Sequence, residues 1–164
     1  MADLTVLDEK LAEVIGLAQV AQTATKRVAT LARREKDAEL VELMQRMGRQ
    51  AADVEERCRA VADTRDGLRT AIASKARETK AEVSSFMRTY LEDAEALDGL
   101  EFLSMAEAGE LAHWEILGTL NKTAGDRSID KLVNFATPLQ HTHVDEVRNH
   151  ALRLAGEEDP GDVA

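Results

Sequence analysis

Apolar residues recur in steps of three and four along most of this chain, the spacing that lines one face of an α-helix. The first stripe runs Leu4, Leu7, Leu11, Val14, Ile15, Ala18, Ala21, Gln22, Thr25 and Ala29. Thr5 is placed to cap it, with Asp8 three residues on, a weak form of the capping box. After a charged connection at Arg33 to Asp37, the residues Leu40, Met44, Met47, Ala51, Val54, Cys58 and Val61 alternate steps of four and three. That regularity makes a packing seam of the shallow-angle kind found in bundles. Asp63, Thr64, Arg65, Asp66 and Gly67 interrupt it, because short acidic residues favour turns and glycine costs about 1 kcal/mol inside a helix. Leu68, Ile72, Ala76, Thr79, Val83, Phe86 and Tyr90 resume the phase if Arg65 is allowed on the seam. A break near Gly67 is the preferred reading, and the alternative is one very long helix from about residue 38 to 90.

In the second half, Asp98 with Glu101 makes an acidic capping box that opens a helix through about Thr123, and Ala124 with Gly125 ends it. Asp126 is placed to cap the last helix, so these two helices form an antiparallel hairpin. Pro138 predicts a kink or brief break between Ala136 and Leu139, and Gly156 is the expected end. The fold expected is all-α: an antiparallel four-helix bundle with an extra helical segment between its second and third helices. Residues 1–156 form one domain in this reading, followed by a flexible acidic tail at 157–164.

Two stripes carry imidazole and carboxylate. A wheel centred on His113 gathers Phe102, Ala106, Gly109, Ile116, Leu117 and Leu120, with Glu110 toward one edge, and predicts a buried His113. The last helix offers Ile129, Leu132, Val133, Ala136, Leu139, His143, Val147, His150, Ala151 and Leu154, with Glu146 at the flank. Glu110-Leu-Ala-His113 has the Glu-x-x-His spacing with which one helix serves a metal in a four-helix carboxylate site. Hairpin register sets His113 opposite Ala136 and His143 opposite Ala106, an offset of about 10 Å at 1.5 Å per residue. Glu110 and His143 differ by only about 6 Å, and they are the expected pair, with Glu146, His113 or His150 in support. The competing reading is a histidine and a carboxylate that satisfy each other without metal.

Carboxylates are missing from the other two stripes, which bring Gln50, Gln22 and Gln19 instead. Amides are poor ligands for hard cations. This argues against an oxygen-activating di-iron centre and leaves a mononuclear zinc or manganese site from Glu110, His143 and Glu146. No phosphate-binding glycine loop, nucleophile elbow or paired-cysteine pattern is present, so an enzyme of conventional type ranks third, behind a metal-binding bundle and a metal-free interaction module.

Composition narrows the partners. The 164 residues carry a net charge of -10, the wrong sign for nucleic-acid binding. The single cysteine, Cys58, has no internal partner, and no apolar run of membrane or signal-peptide type occurs. A cytoplasmic protein with no membrane partner is the expectation. Leu91 to Glu110 holds seven acids and no lysine or arginine, whereas Thr64 to Tyr90 holds six bases against three acids. Such runs are usually solvated faces, yet opposite runs in one chain also suit a homo-oligomer or docking on partner helices.

The order Leu111-Ala112-His113-Trp114-Glu115-Ile116, then Gly118-Thr119-Leu120 and the Ala124-Gly125 turn, resembles the bacterial stress-associated ferritin-like domains of unknown function. The likeness covers about residues 95 to 156, and the first half only in layout. It implies a ferritin-like bundle with a divalent metal (Fe, Mn or Zn) between its helices and a storage or protective role in stress. Glu115 stands where the family has an acidic residue. Gln19 and the Arg49-Gln50 step stand where the family's acids would fall on the first two helices. Pro138, Gln140, His141 and His143 replace its acidic run on the last.

Overall fold

Thr5 opens the first helix: its hydroxyl oxygen accepts the Asp8 amide at 3.1 Å, and the chain turns helical at Val6. The computed structural model describes residues 3–161. It contains α1 (Val6–Arg34), α2 (Ala38–Ala62), α3 (Arg69–Tyr90), α4 (Ala96–Ala124) and α5 (Arg127–Glu157). No strand occurs among the described residues, and no helix there is long and apolar enough to cross a membrane. The chain is an all-α helical bundle.

The interruption at residues 63–67 is a true break. Gly67 has φ +74, a left-handed conformation that costs glycine nothing because it has no Cβ. The extra segment is a full helix of 22 residues, α3. At the hairpin, Gly125 sits at φ +68, and Asp126 caps α5 through the amides of Ser128 and Ile129 at 2.8 and 3.2 Å.

Three expectations need correction. The helix expected at Asp98 starts one turn earlier: Glu95 is the cap, and Asp98 accepts the Glu95 amide at 2.8 Å from the third helical position. Glutamate is a poor cap, so the sequence signal fell on the aspartate instead. Pro138 does not break α5, which is helical throughout. Pro138 and Asn134, whose carbonyl loses its donor, are both exposed, so the proline falls on the solvent side of the helix, where a freed carbonyl costs little, while buried Ala136 and Gln140 hold the inner face. Finally, α5 runs one residue past Gly156 to Glu157. Of the expected tail, residues 162–164 lie outside the described residues.

Short connections make successive helices antiparallel. α1 packs against α2, α3 and α4, while α5 packs on α4 and more lightly on α2. α3 runs beside α1 and barely touches α4. α1, α2, α5 and α4 therefore enclose an interior, and α3 covers the other side of α1. Its approach is close, since a Cβ on Gly16 would stand 2.6 Å from the Ala76 carbonyl oxygen.

Apolar side chains fill that interior as two clusters. One includes Leu31, Leu40, Met44, Leu100 and Leu103; the other includes Leu11, Ile15, Cys58, Trp114 and Ile129. Between them along the helices lies a buried polar layer of Glu107, Glu110, Gln140 and His143.

Arg65, in the α2 to α3 turn, reaches two other chain segments at one end of the bundle. Its Nη1 is 2.6 Å from Asp126 and its Nε 3.5 Å from Asp8. Burial alone would raise the Asp126 carboxyl, but hydrogen bonds from Ser128, Arg65 and the Ile129 amide outweigh it and hold the group well below the usual range. Its contribution is therefore present above pH 3.8 and is lost as the pH falls below that value. Asp126→Ala removes a cap and an ion-pair partner together, and should cost about 2 kcal/mol in urea unfolding. A loss under about 0.5 kcal/mol, the level of ordinary surface substitutions, would show that neither contact matters.

Candidate functional site

The polar layer is built from two i, i+3 pairs that face each other across the α4 to α5 contact. Glu107 and Glu110 fall on one face of α4, Gln140 and His143 on one face of α5. Glu107 is the node. Gln140 Nε2 donates to its Oε2 at 2.5 Å and to its backbone carbonyl at 3.2 Å, and His143 Nδ1 stands 3.4 Å from the same Oε2. On the other side of the ring, His143 Nε2 is 2.9 Å from Gln50 Oε1 on α2. Both ring nitrogens thus face oxygen.

Glu110 has no such company. Burial and the neighbouring Glu107 charge push its carboxyl up to about 8, so at neutral pH it is mostly a buried neutral acid. The Trp114 indole N–H lies near enough to favour the ionised form, although it makes no hydrogen bond of ordinary geometry. Burial, together with the charges of Glu110 and Glu55, pushes the Cys58 thiol far up, which leaves it unreactive.

The sequence reading missed Glu107 and expected Glu110 to meet His143. The hairpin register sets His143 opposite Ala106, one residue from Glu107, but a wheel centred on His113 turns Glu107 away from the interior. His113 is not the centre of the buried face. The buried face is Leu103, Glu107, Glu110, Trp114, Leu117 and Asn121, whereas Ile116 is 46% exposed. His113 is consequently half-buried rather than buried: its Nδ1 meets the Gly109 carbonyl at 2.8 Å, and its Nε2 lies 3.4 Å from Glu13.

The other expected ligands stand apart from the layer. Glu115 is exposed, 3.7 Å from exposed His141. Glu146 pairs with Arg46 at 2.5 Å. His150 lies 3.5 Å from Arg153 and 3.9 Å from Glu39. Only Glu110 and His143, of the six, reach the buried layer. Among the described residues, no three His, Cys, Asp or Glu side chains are grouped as a metal would require.

α2 does bring one carboxylate. Glu55 accepts Gln22 at 2.6 Å and Gln19 at 2.9 Å from α1. Burial would raise it, but these amides and Arg59 outweigh burial and hold it below its usual value. Two of the three amides expected to be weak ligands, Gln19 and Gln22, are therefore engaged in holding Glu55, and the third, Gln50, meets His143. A two-metal carboxylate site takes a glutamate from each of two helices and Glu-x-x-His from each of the others. Here α5 carries Gln140-x-x-His143 and α2 carries Met47-x-x-Gln50. That donor set falls short of two metals and fits at most one.

Comparison with family models, with curated proteins and with solved structures finds no match.

Proposed function

We propose that this chain is a ferritin-like helical bundle that binds one divalent cation in its interior, in a storage or protective role. The ligands in this reading are Glu107 and Glu110 of α4 and His143 of α5, which a cation must draw closer together than they stand without it, and Gln140 can turn its amide oxygen inward as a fourth. One observation carries the reading: two carboxylates and an imidazole are sealed together at mid-bundle, and no lysine or arginine is among the buried polar residues described. A cation would supply the missing positive charge and draw Glu110 into its ionised form. Mixed oxygen and nitrogen donors suit manganese, zinc or ferrous iron. Metal binding to the folded state alone raises the melting point, by about 2.7 kcal/mol of stability at a hundredfold excess over Kd. Tag-free protein titrated with Mn²⁺ or Zn²⁺ is expected to show that rise, and Glu107→Gln and His143→Ala to lose it. A rise of equal size in both variants, or none with any metal, refutes the assignment.

A second reading has its own support, because Gln140 and His143 already satisfy Glu107 without a cation. The layer is then a packing device in a metal-free interaction module. Under that reading no divalent metal changes the melting point.

A further inference from the structure

α4 is apolar on both sides. Its inner face builds the core, and its outer face exposes Met105 and Ile116, each 46% accessible, with Ala108, Gly109 and Ala112 between them. α3 meets α4 at its first turns, where Phe86 and Tyr90 pack on Phe102 and the Tyr90 hydroxyl donates to Glu101 at 3.2 Å, and the stretch from Met105 to Ile116 beyond is exposed at Met105, Ala108, Gly109, Ala112 and Ile116. Ala112, Glu115, Ile116 and Thr119, joined by Leu120, line a shallow recess of about 310 Å³ there. Those first four positions are i, i+3, i+4 and i+7, the hole that receives one knob from a facing helix. We infer that the outer face of α4 binds the same face of a second copy, antiparallel, with Met105 of each chain seated in the recess of the other.

The charges choose the direction. Asp98 and Glu101 lie toward one end of the stripe and Lys122 at the other. Parallel pairing would set acids against acids. Antiparallel pairing with Met105 in the recess centres the crossing near residue 110, at the small residues that allow close approach, and brings Lys122 opposite Asp98, one turn from Glu101. The contact is isologous, so it closes at two copies. The stripe from Met105 to Leu120 is only about 22 Å long at 1.5 Å per residue. This is narrow beside a standard interface of about 800 Å² per partner, and micromolar association is expected. The inference does not depend on metal in the interior.

Sedimentation equilibrium of the full chain between about 5 and 500 µM, bracketing micromolar affinity, should show a monomer to dimer transition. Met105→Glu and Ile116→Glu should each weaken it at least roughly tenfold, as loss of a central apolar anchor does. Circular dichroism should stay unchanged, because both side chains are exposed. Lys122→Glu should weaken it, and adding Glu101→Lys should restore part of the loss. A Cβ at Gly109 meets nothing within 4 Å, so Gly109→Cys should cross-link two chains under mild oxidation while buried Cys58 stays silent. Met105→Cys should not, being opposite residue 115 or so. A monomer at every concentration would assign the face to another partner and overturn the proposal. A dimer indifferent to both glutamates, or equal cross-linking at 105 and 109, would overturn it as well.

Discussion

Glu110→Gln is expected to stabilise the metal-free chain at pH 8 by a few kcal/mol while changing little at pH 4. In the unfolded chain this carboxyl titrates near 4.5, and in the folded chain near 8. Between those values the unfolded state has released the proton that the folded state still holds. Stability therefore falls as pH rises, by up to about 1.4 kcal/mol per pH unit. The contribution is fully present below pH 4.5 and gone above 8. Glutamine keeps the shape and cannot ionise, so the variant should lose this slope. Urea unfolding of both proteins at pH 4, 6 and 8 measures it, and parallel stability curves would show that the folded carboxyl is not raised. Asp37, Glu55 and Asp126, all held below their usual values, act in the opposite direction and at lower pH, and are common to both chains. If a cation binds, the wild type should regain stability at pH 8 in its presence and the variant should regain less.

Gly16→Ala is expected to cost about 2 to 4 kcal/mol, despite alanine's advantage of about 1 kcal/mol inside a helix. The added Cβ would lie 2.6 Å from the Ala76 carbonyl oxygen and 2.9 Å from Thr79 Cβ. Both belong to α3, and a carbonyl oxygen bound into a helix cannot step aside as a flexible side chain does. α3 must retreat from α1, and with it the packing of Ile72 and Ala76. Thermal unfolding tests this, and a variant as stable as the parent would mean that the two helices separate easily.

What could be read in the sequence was what local chemistry decides. The Thr5 and Asp126 caps, the glycine break at Gly67 and the seam from Leu40 to Cys58 all depend on residues within a turn or two of one another. Pro138 misled because its cost depends on exposure, which a local pattern does not contain. The site was half legible. His143 is legible because an imidazole stands out in an apolar stripe, and Glu107 is not, because a wheel centred on His113 turns it away from the interior. On a helix with apolar residues outside as well as inside, the two acids mark the inner face, and Ile116 is the decoy. Nothing local announces that Trp114 rather than His113 turns inward.

The split core bears on how the helices find their alignment. A bundle held only by leucine and alanine tolerates slippage, because one turn up or down, about 5.4 Å, apolar meets apolar again. Here the same slip would leave Glu107 against Val147 or Leu139 and strand His143 among aliphatic neighbours, with a buried charge and two amides unmatched. Mid-bundle polarity thus works as a vernier that penalises every setting of α5 on α4 except one, with or without an ion between them.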